Sequence, residues 1–323
     1  LLVLMLGSLS RLLVTGGPSL ILTAVLCGAS VAFIQAIFPG IIKEKFPASI
    51  AAVTGFYSAM IMGGGALGAR LTPLLAGSGN DWRFALAWLA LPAAIGFGAA
   101  FLTLPGKKSA SPNRSWTGAL FRRRRTWLLM AAFGLVNGGY SSMVAWLAPY
   151  YQAQGWGAAE SGSLVAVMAI FQAVSALALP FLARRRMDRR PWLLATLVAQ
   201  AIGFAGLGFL PDASPVLWAA MCGAGLGGSF SLLIVAALDH LPRPEQAGAL
   251  TALMQGGGFL IAGLAPLATA MLHDWSGSFA SGWMMHLACI LITLPLYLQL
   301  NPSRYGTVMD LGGRLAGAVH PAE

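Results

Sequence analysis

Apolar runs of about twenty residues fill this chain, separated by short stretches that are polar, proline-bearing or rich in arginine. That run length matches a bilayer's hydrocarbon core when the backbone is helical. The pattern predicts ten membrane helices, at 1–17, 19–41, 50–75, 83–104, 126–151, 161–183, 191–210, 215–238, 248–271 and 279–300. The alternating ten-residue strands of a membrane β-barrel do not occur. The expected fold class is an all-α polytopic membrane protein.

Composition agrees with the pattern. Of 323 residues, 57% are hydrophobic and 9% charged, against about 25% charged in ordinary soluble domains. Mean hydropathy is +0.74. The net charge of +10 would suit nucleic acid, but its placement argues otherwise. If every second connection lies on one side of the membrane, that side collects all of the 20 basic residues except Arg11, Arg70 and Arg83. This bias is the positive-inside pattern, and it predicts that both ends of this chain are cytoplasmic. Lipid headgroups suffice as partners for the arginines at 122–125 and 184–190; nucleic acid is not expected. Cys27, Cys222 and Cys289 all lie in apolar runs, which reads as packing rather than a disulfide or zinc framework. Neither a cofactor nor a metal is expected, and a monomer is.

The chain also repeats itself. Gly63-Gly64-Gly65 leads to Pro73, and Gly256-Gly257-Gly258 leads to Pro266 at the same spacing, 193 residues on. Asp81-Trp82 and Asp274-Trp275 keep that offset, and the Cys-Gly-Ala at 27 and 222 nearly keeps it. The repeat pairs the first four spans with the last four and leaves 126–151 and 161–183 unmatched. The expectation is a chain missing two N-terminal helices of an original twelve, in two parallel halves. Residues 1–104 would form the incomplete first half, 105–125 a cytoplasmic linker, 126–300 the second half and 301–323 a cytoplasmic tail.

Four stretches carry a family resemblance: GLVNGGYSSMVAWLAPYY from Gly134, GSLVAVMAIFQA from Gly162, LDH at 238–240 and MQGGGFLIAGLAP from Met254. Together they resemble the cyanate transporter family of the major facilitator superfamily, with nitroimidazole-type exporters as relatives. The resemblance implies a twelve-helix bundle, a central cavity between the halves, alternating access and the anion cyanate as cargo. Asp188-Arg189-Arg190 keep the charged core of a loop motif that is thought to latch helix ends in that superfamily. The motif's usual glycines are gone, and simple inside-positive charge explains the arginines equally well.

Polar groups deep in a span are costly, and they usually face a bundle interior or a cavity. Asn137 and Tyr140 flank Gly138-Gly139 in the middle of the fifth span. Adjacent glycines let a helix distort, and Asn and Tyr supply hydrogen bonds without a full charge. These residues either line a substrate path or pack closely against a neighbouring helix. Gln255, Gln172, Gln35 and Gln200 are further candidates, each equally suited to bonding between helices. Tyr57 and Trp146 are candidate aromatic walls, and Trp146 also suits an interface anchor. Arg11, and to a lesser degree Arg70, would draw an anion toward the outer side. Gly63, Gly64, Gly65, Gly68, Gly256, Gly257 and Gly258 read as packing and pivot positions. His286 is the best titrating candidate within a span. Besides anion transport, the sequence leaves open drug export and, remotely, a scaffold or a membrane enzyme using Asp239, His240 and Ser229 or Ser231.

Overall fold

In hydrocarbon every backbone N–H and C=O must find its partner within the segment, which leaves helices as the solution for apolar runs of this length. The computed structural model describes residues 1–77, 81–103 and 114–309, and the described residues contain helices and no strand. The helices are α1 (Leu2–Leu9), α2 (Gly17–Lys45), α3 (Ile50–Gly77), α4 (Trp82–Ala87), α5 (Ala90–Thr103), α6 (Arg114–Phe121) and α7 (Arg124–Gln152). They continue as α8 (Ala158–Ala183), α9 (Arg190–Phe209), α10 (Pro215–Asp239), α11 (Pro244–Ser276), α12 (Ala280–Leu298) and α13 (Tyr305–Val308).

Nine candidate spans lie among the described residues, taking α4 and α5 together as one. The first expected span is the exception. Residues 1–17 form α1, one 3-10 turn at Ser10–Leu13 and an extended Val14. That stretch rises only about 18 Å at 1.5 Å per residue, short of the roughly 30 Å of a hydrocarbon core. The expected linker contains α6, and its residues 104–113 lie outside the described residues. So do residues 310–323 of the expected tail and the side chain of Arg70.

The chain divides into two compact units: residues 1–38 with 64–111, and residues 39–63 with 112–323. Both divisions fall inside helices, after Phe38 in α2 and after Gly63 in α3. In the first unit α1 packs on α5, and the Ser10–Leu13 turn packs on α4. Arg83 joins the latter pair by donating to the Val14 carbonyl.

The second unit is built around α10, which packs against α8 and α9. Its glycines explain how it fits. A Cβ on Gly223 would run into the Met168 carbonyl of α8, and one on Gly227 into the Gln172 carbonyl a turn later. On the other side, a Cβ on Gly225 would stand 2.6 Å from the Thr196 carbonyl of α9. Only glycine lets three backbones approach this closely. Polar bonds then fix the register. Thr196 and Ser229 hydroxyls meet at 2.6 Å, Gln200 donates to Ser229 at 3.1 Å, and Ser175 donates to the Ala224 carbonyl at 2.5 Å. Gln200 is therefore a helix-to-helix bond inside the core. Large side chains such as Phe133, Trp283 and Tyr297 are fully buried around this centre.

Candidate functional site

The middle of α7 decides what its polar, glycine-rich centre can do. The helix runs without interruption from Arg124 to Gln152, so Gly138 and Gly139 do not unwind it. They bring it close to its neighbours instead. A Cβ on Gly138 would stand 3.0 Å from the Ala265 Cβ of α11, and one on Gly139 3.0 Å from the Phe204 ring of α9. One turn earlier, a Cβ on Gly134 would stand 2.9 Å from the Gly258 carbonyl of α11.

Hydrogen bonds strengthen this α7–α11 seam at one weak point. Pro266 has no N–H, so the Ala262 carbonyl one turn earlier loses its helical donor. The Ser141 hydroxyl of α7 lies 3.0 Å from that carbonyl and 2.8 Å from its own helix's Asn137 carbonyl. Thr269 donates to Ser142 at 3.1 Å, and the Trp146 indole donates to the Pro266 carbonyl at 2.9 Å. Trp146 also lies against Phe279, ring centres 5.5 Å apart. The indole is thus engaged with α11.

Asn137 and Tyr140 share one face of α7, with Val144 one turn further. Their side chains differ sharply. Asn137 is buried, and its amide donates to the Phe133 carbonyl of the same helix at 2.8 Å. Tyr140 is 37% exposed, and its hydroxyl makes no hydrogen bond among the described residues. A phenol in mid-span whose hydroxyl has no partner among the described residues keeps its donor free for a polar group.

The other expected site residues divide between the units. Gln172 on α8 and Gln255 on α11 are buried in the second unit, and Tyr57 packs on that unit's core. Gln35 and Arg11 belong to the first unit, and both are half-buried. The glycine triplets part company. A Cβ on Gly258 would stand 2.6 Å from Phe133 and 3.2 Å from the Gly134 nitrogen, and one on Gly257 would meet the tip of Met130. Nothing among the described residues lies within 4 Å of a Cβ on Gly63, Gly64, Gly65 or Gly256, and at Gly68 there is only Leu89 at 3.8 Å. The expected packing role therefore has no close partner at these positions.

A groove of about 190 Å³ lies between α7, α11 and α12, walled by Gly134, Gly138, Ala265, Met285, His286 and other apolar groups. His286 is buried and stacks on Phe204 at 5.2 Å. Neither Asn137 nor Tyr140 lines this groove.

At the basic ends of the helices, cations cap carbonyls. Arg189 donates to the Ala183 carbonyl closing α8 and pairs with Asp239 at 3.2 Å, both side chains nearly buried. Arg125 donates to the Gln299 carbonyl after α12 at 2.8 Å. Helix C-termini favour such partners because their last carbonyls lack donors and carry the negative end of the dipole. Asp188 pairs with Arg190 at 2.7 Å and accepts its backbone N–H at 3.0 Å. Those hydrogen bonds hold the Asp188 carboxyl below its usual range. The sequence marked Asp188, Arg189 and Arg190, but it missed Asp239 as a partner. A lone acid at the end of an apolar helix was the available signal.

His240 does not form a catalytic set with the nearby serines. Its Nδ1 lies 2.6 Å from the Ala236 carbonyl, and its ring stacks on Tyr305 at 3.7 Å. Burial is the main cause of its low pKa, about 4. Ser229 is bonded to Thr196, and Ser231 donates to carbonyls of its own helix.

Comparison with known proteins agrees with this architecture. The family model of the Major Facilitator Superfamily matches residues 1–266. The chain is 41% identical over 307 residues to the cyanate transport protein CynX of Escherichia coli, covering 94% of this chain and 79% of that protein. It is 29% identical over 264 residues to the 2-nitroimidazole transporter of the same organism, covering 80% and 66%. Among solved structures, the transporter FucP in its outward conformation superposes with a TM-score of 0.73 at 12% identity, covering 93% of this chain and 81% of that one. The human organic anion transporter TETRAN does so at 0.66 and 18%, covering 92% and 76%.

Proposed function

The chain belongs to the Major Facilitator Superfamily, and we propose that it is a secondary transporter whose substrate is cyanate. The observation that carries the substrate is the 41% identity to a cyanate transport protein, spread over 94% of this chain. The chemistry of α7 supports it. Cyanate is a small linear anion that accepts hydrogen bonds at both ends. The open Tyr140 hydroxyl is a donor of the right kind, set in apolar surroundings where one charge-assisted bond counts for more than in water. Gln172, Gln255 and Tyr57 would complete a donor set as the helices rearrange. Asn137 would act mainly by shaping the face, since its amide is already engaged. Gln35 and Arg11, which belong to the first unit, are proposed as further donors to the anion.

Both ends of the chain would be cytoplasmic, a reading supported by the distribution of basic residues over ten crossings. The halves would rock about the substrate, and Asp188, Arg189 and Arg190 would latch helix ends on the cytoplasmic side. The protein would work as a monomer in the inner membrane, without a reaction on its substrate.

The experiment is labelled cyanate uptake into proteoliposomes by the protein and by Tyr140→Phe and Asn137→Leu. We expect Tyr140→Phe to raise KM about tenfold, the effect of losing one hydrogen bond to a charged group. Asn137→Leu should have a smaller effect. Equal KM in all three would remove Tyr140 from the substrate path. A second reading, export of neutral heteroaromatic compounds, is favoured by the 29% identity to the 2-nitroimidazole transporter. It also fits the lack of a mid-span cation in α7–α12.

A further inference from the structure

Residues 39–63, from Pro39 in α2 to Gly63 in α3, form a helical hairpin in the same compact unit as α7–α12. Besides the apolar packing of Ile50, Tyr57 and Met62 on the core, three closer contacts join it to that bundle. Gly40 meets Gly248 of α11, where a Cβ on Gly248 would stand 2.9 Å from the Gly40 Cα. Gly55 lies on α8, and a Cβ there would stand 3.1 Å from the carbonyls of both Ala176 and Leu177. The third contact is charged. The Lys43 ammonium donates to the carbonyls of Leu238 and Leu241, at the end of α10 and just beyond it.

These contacts differ in kind. The two glycine contacts are backbone against backbone, held by dispersion and shape, and they allow sliding. Lys43 adds charge-assisted bonds to a helix end whose dipole favours a cation. Asp239, in the same turn, adds its charge within reach of both Lys43 and Arg189. Lys43 is only half-buried, whereas its neighbour Ile42 is 1% exposed. The ammonium therefore has water at hand to replace its carbonyls if the hairpin lifts, and Ile42 is what lifting would uncover. Arg125 and Arg189 hold carbonyls on elements near their own in sequence or on the bundle itself. Lys43 instead reaches 195 residues along the chain, from the hairpin to the bundle.

We propose that Lys43 is a positioning residue of the transport cycle: it clasps hairpin 39–63 onto the end of α10 and lets go in each turnover. The proposal rests on the reading of the protein as a transporter. It does not depend on which solute is carried.

The test is maleimide labelling in membranes containing the full-length protein, with Cys27, Cys222 and Cys289 replaced by alanine and Ile42→Cys as the reporter. Labelling should be slow but measurable, should rise about tenfold with Lys43→Met, and should return to the slow rate with Lys43→Arg. Saturating cyanate should change the rate when Lys43 is present and not in Lys43→Met. If cyanate has no effect while the Lys43 dependence holds, the clasp stands and the substrate assignment fails. Equal labelling with and without Lys43 would overturn the clasp. So would a parallel rise at Leu233→Cys, a fully buried position of α10, because Lys43 would then merely hold the fold together.

Discussion

The glycine triplets of α3 and α11 are spelled alike, lead to a proline at the same spacing, and live in different surroundings. In α11, Gly258 lies against the backbone and side chains of α7, and Gly257 faces the Met130 side chain. In α3, a Cβ on any of the three glycines would meet nothing within 4 Å among the described residues. A glycine triplet therefore permits close packing but does not specify it. The partner decides, and in α11 the partner is Gly134 of α7, itself a glycine at the crossing point. The proline shows the same dependence. Pro266 frees a carbonyl that Ser141 can reach, because α7 already lies close enough.

Gly258→Ala should have the largest effect. The new methyl would press on Phe133 and on fixed backbone atoms at 3.2 Å, so we expect a loss of about 2 kcal/mol, in the range of overpacked cores. Thermal unfolding in detergent would read it. Gly257→Ala should cost less, since a Met130 tip can rotate away. Next comes Ser141→Ala, which withdraws the hydroxyl from the Ala262 carbonyl and should cost about 1 kcal/mol. The smallest effect should be Gly64→Ala. A Cβ there meets nothing within 4 Å among the described residues, and alanine's better helix propensity should leave stability unchanged or raise it by up to about 1 kcal/mol. A large loss at Gly64 would show that this triplet too has a close partner in the membrane.

Much of the fold was legible because apolar run length is a direct consequence of bilayer thickness. Nine of the ten expected spans correspond to long helices, some extending several residues beyond the apolar core, as α11 does from Pro244 to Ser276. The first differs in that residues 2–13 form α1 and one 3-10 turn, ending before Gly16-Gly17-Pro18. The candidate site was less legible. Asn137 and Tyr140 stand three residues apart with similar polarity, yet one turns its amide back to its own helix and the other leaves its hydroxyl open. The burial that separates them comes from packing, which polarity along the chain does not reveal. The same holds for Arg189, whose partner Asp239 lies fifty residues away, and for the α10 glycines, whose meaning appears only when α8 and α9 are beside them.

The measurement closest to the centre of this account is saturable uptake of labelled cyanate by the unmodified protein in liposomes, challenged with excess unlabelled cyanate and with 2-nitroimidazole. We expect uptake above empty liposomes that unlabelled cyanate abolishes and 2-nitroimidazole leaves largely intact. Cyanate entry no faster than in empty liposomes, alongside saturable movement of 2-nitroimidazole, would contradict it.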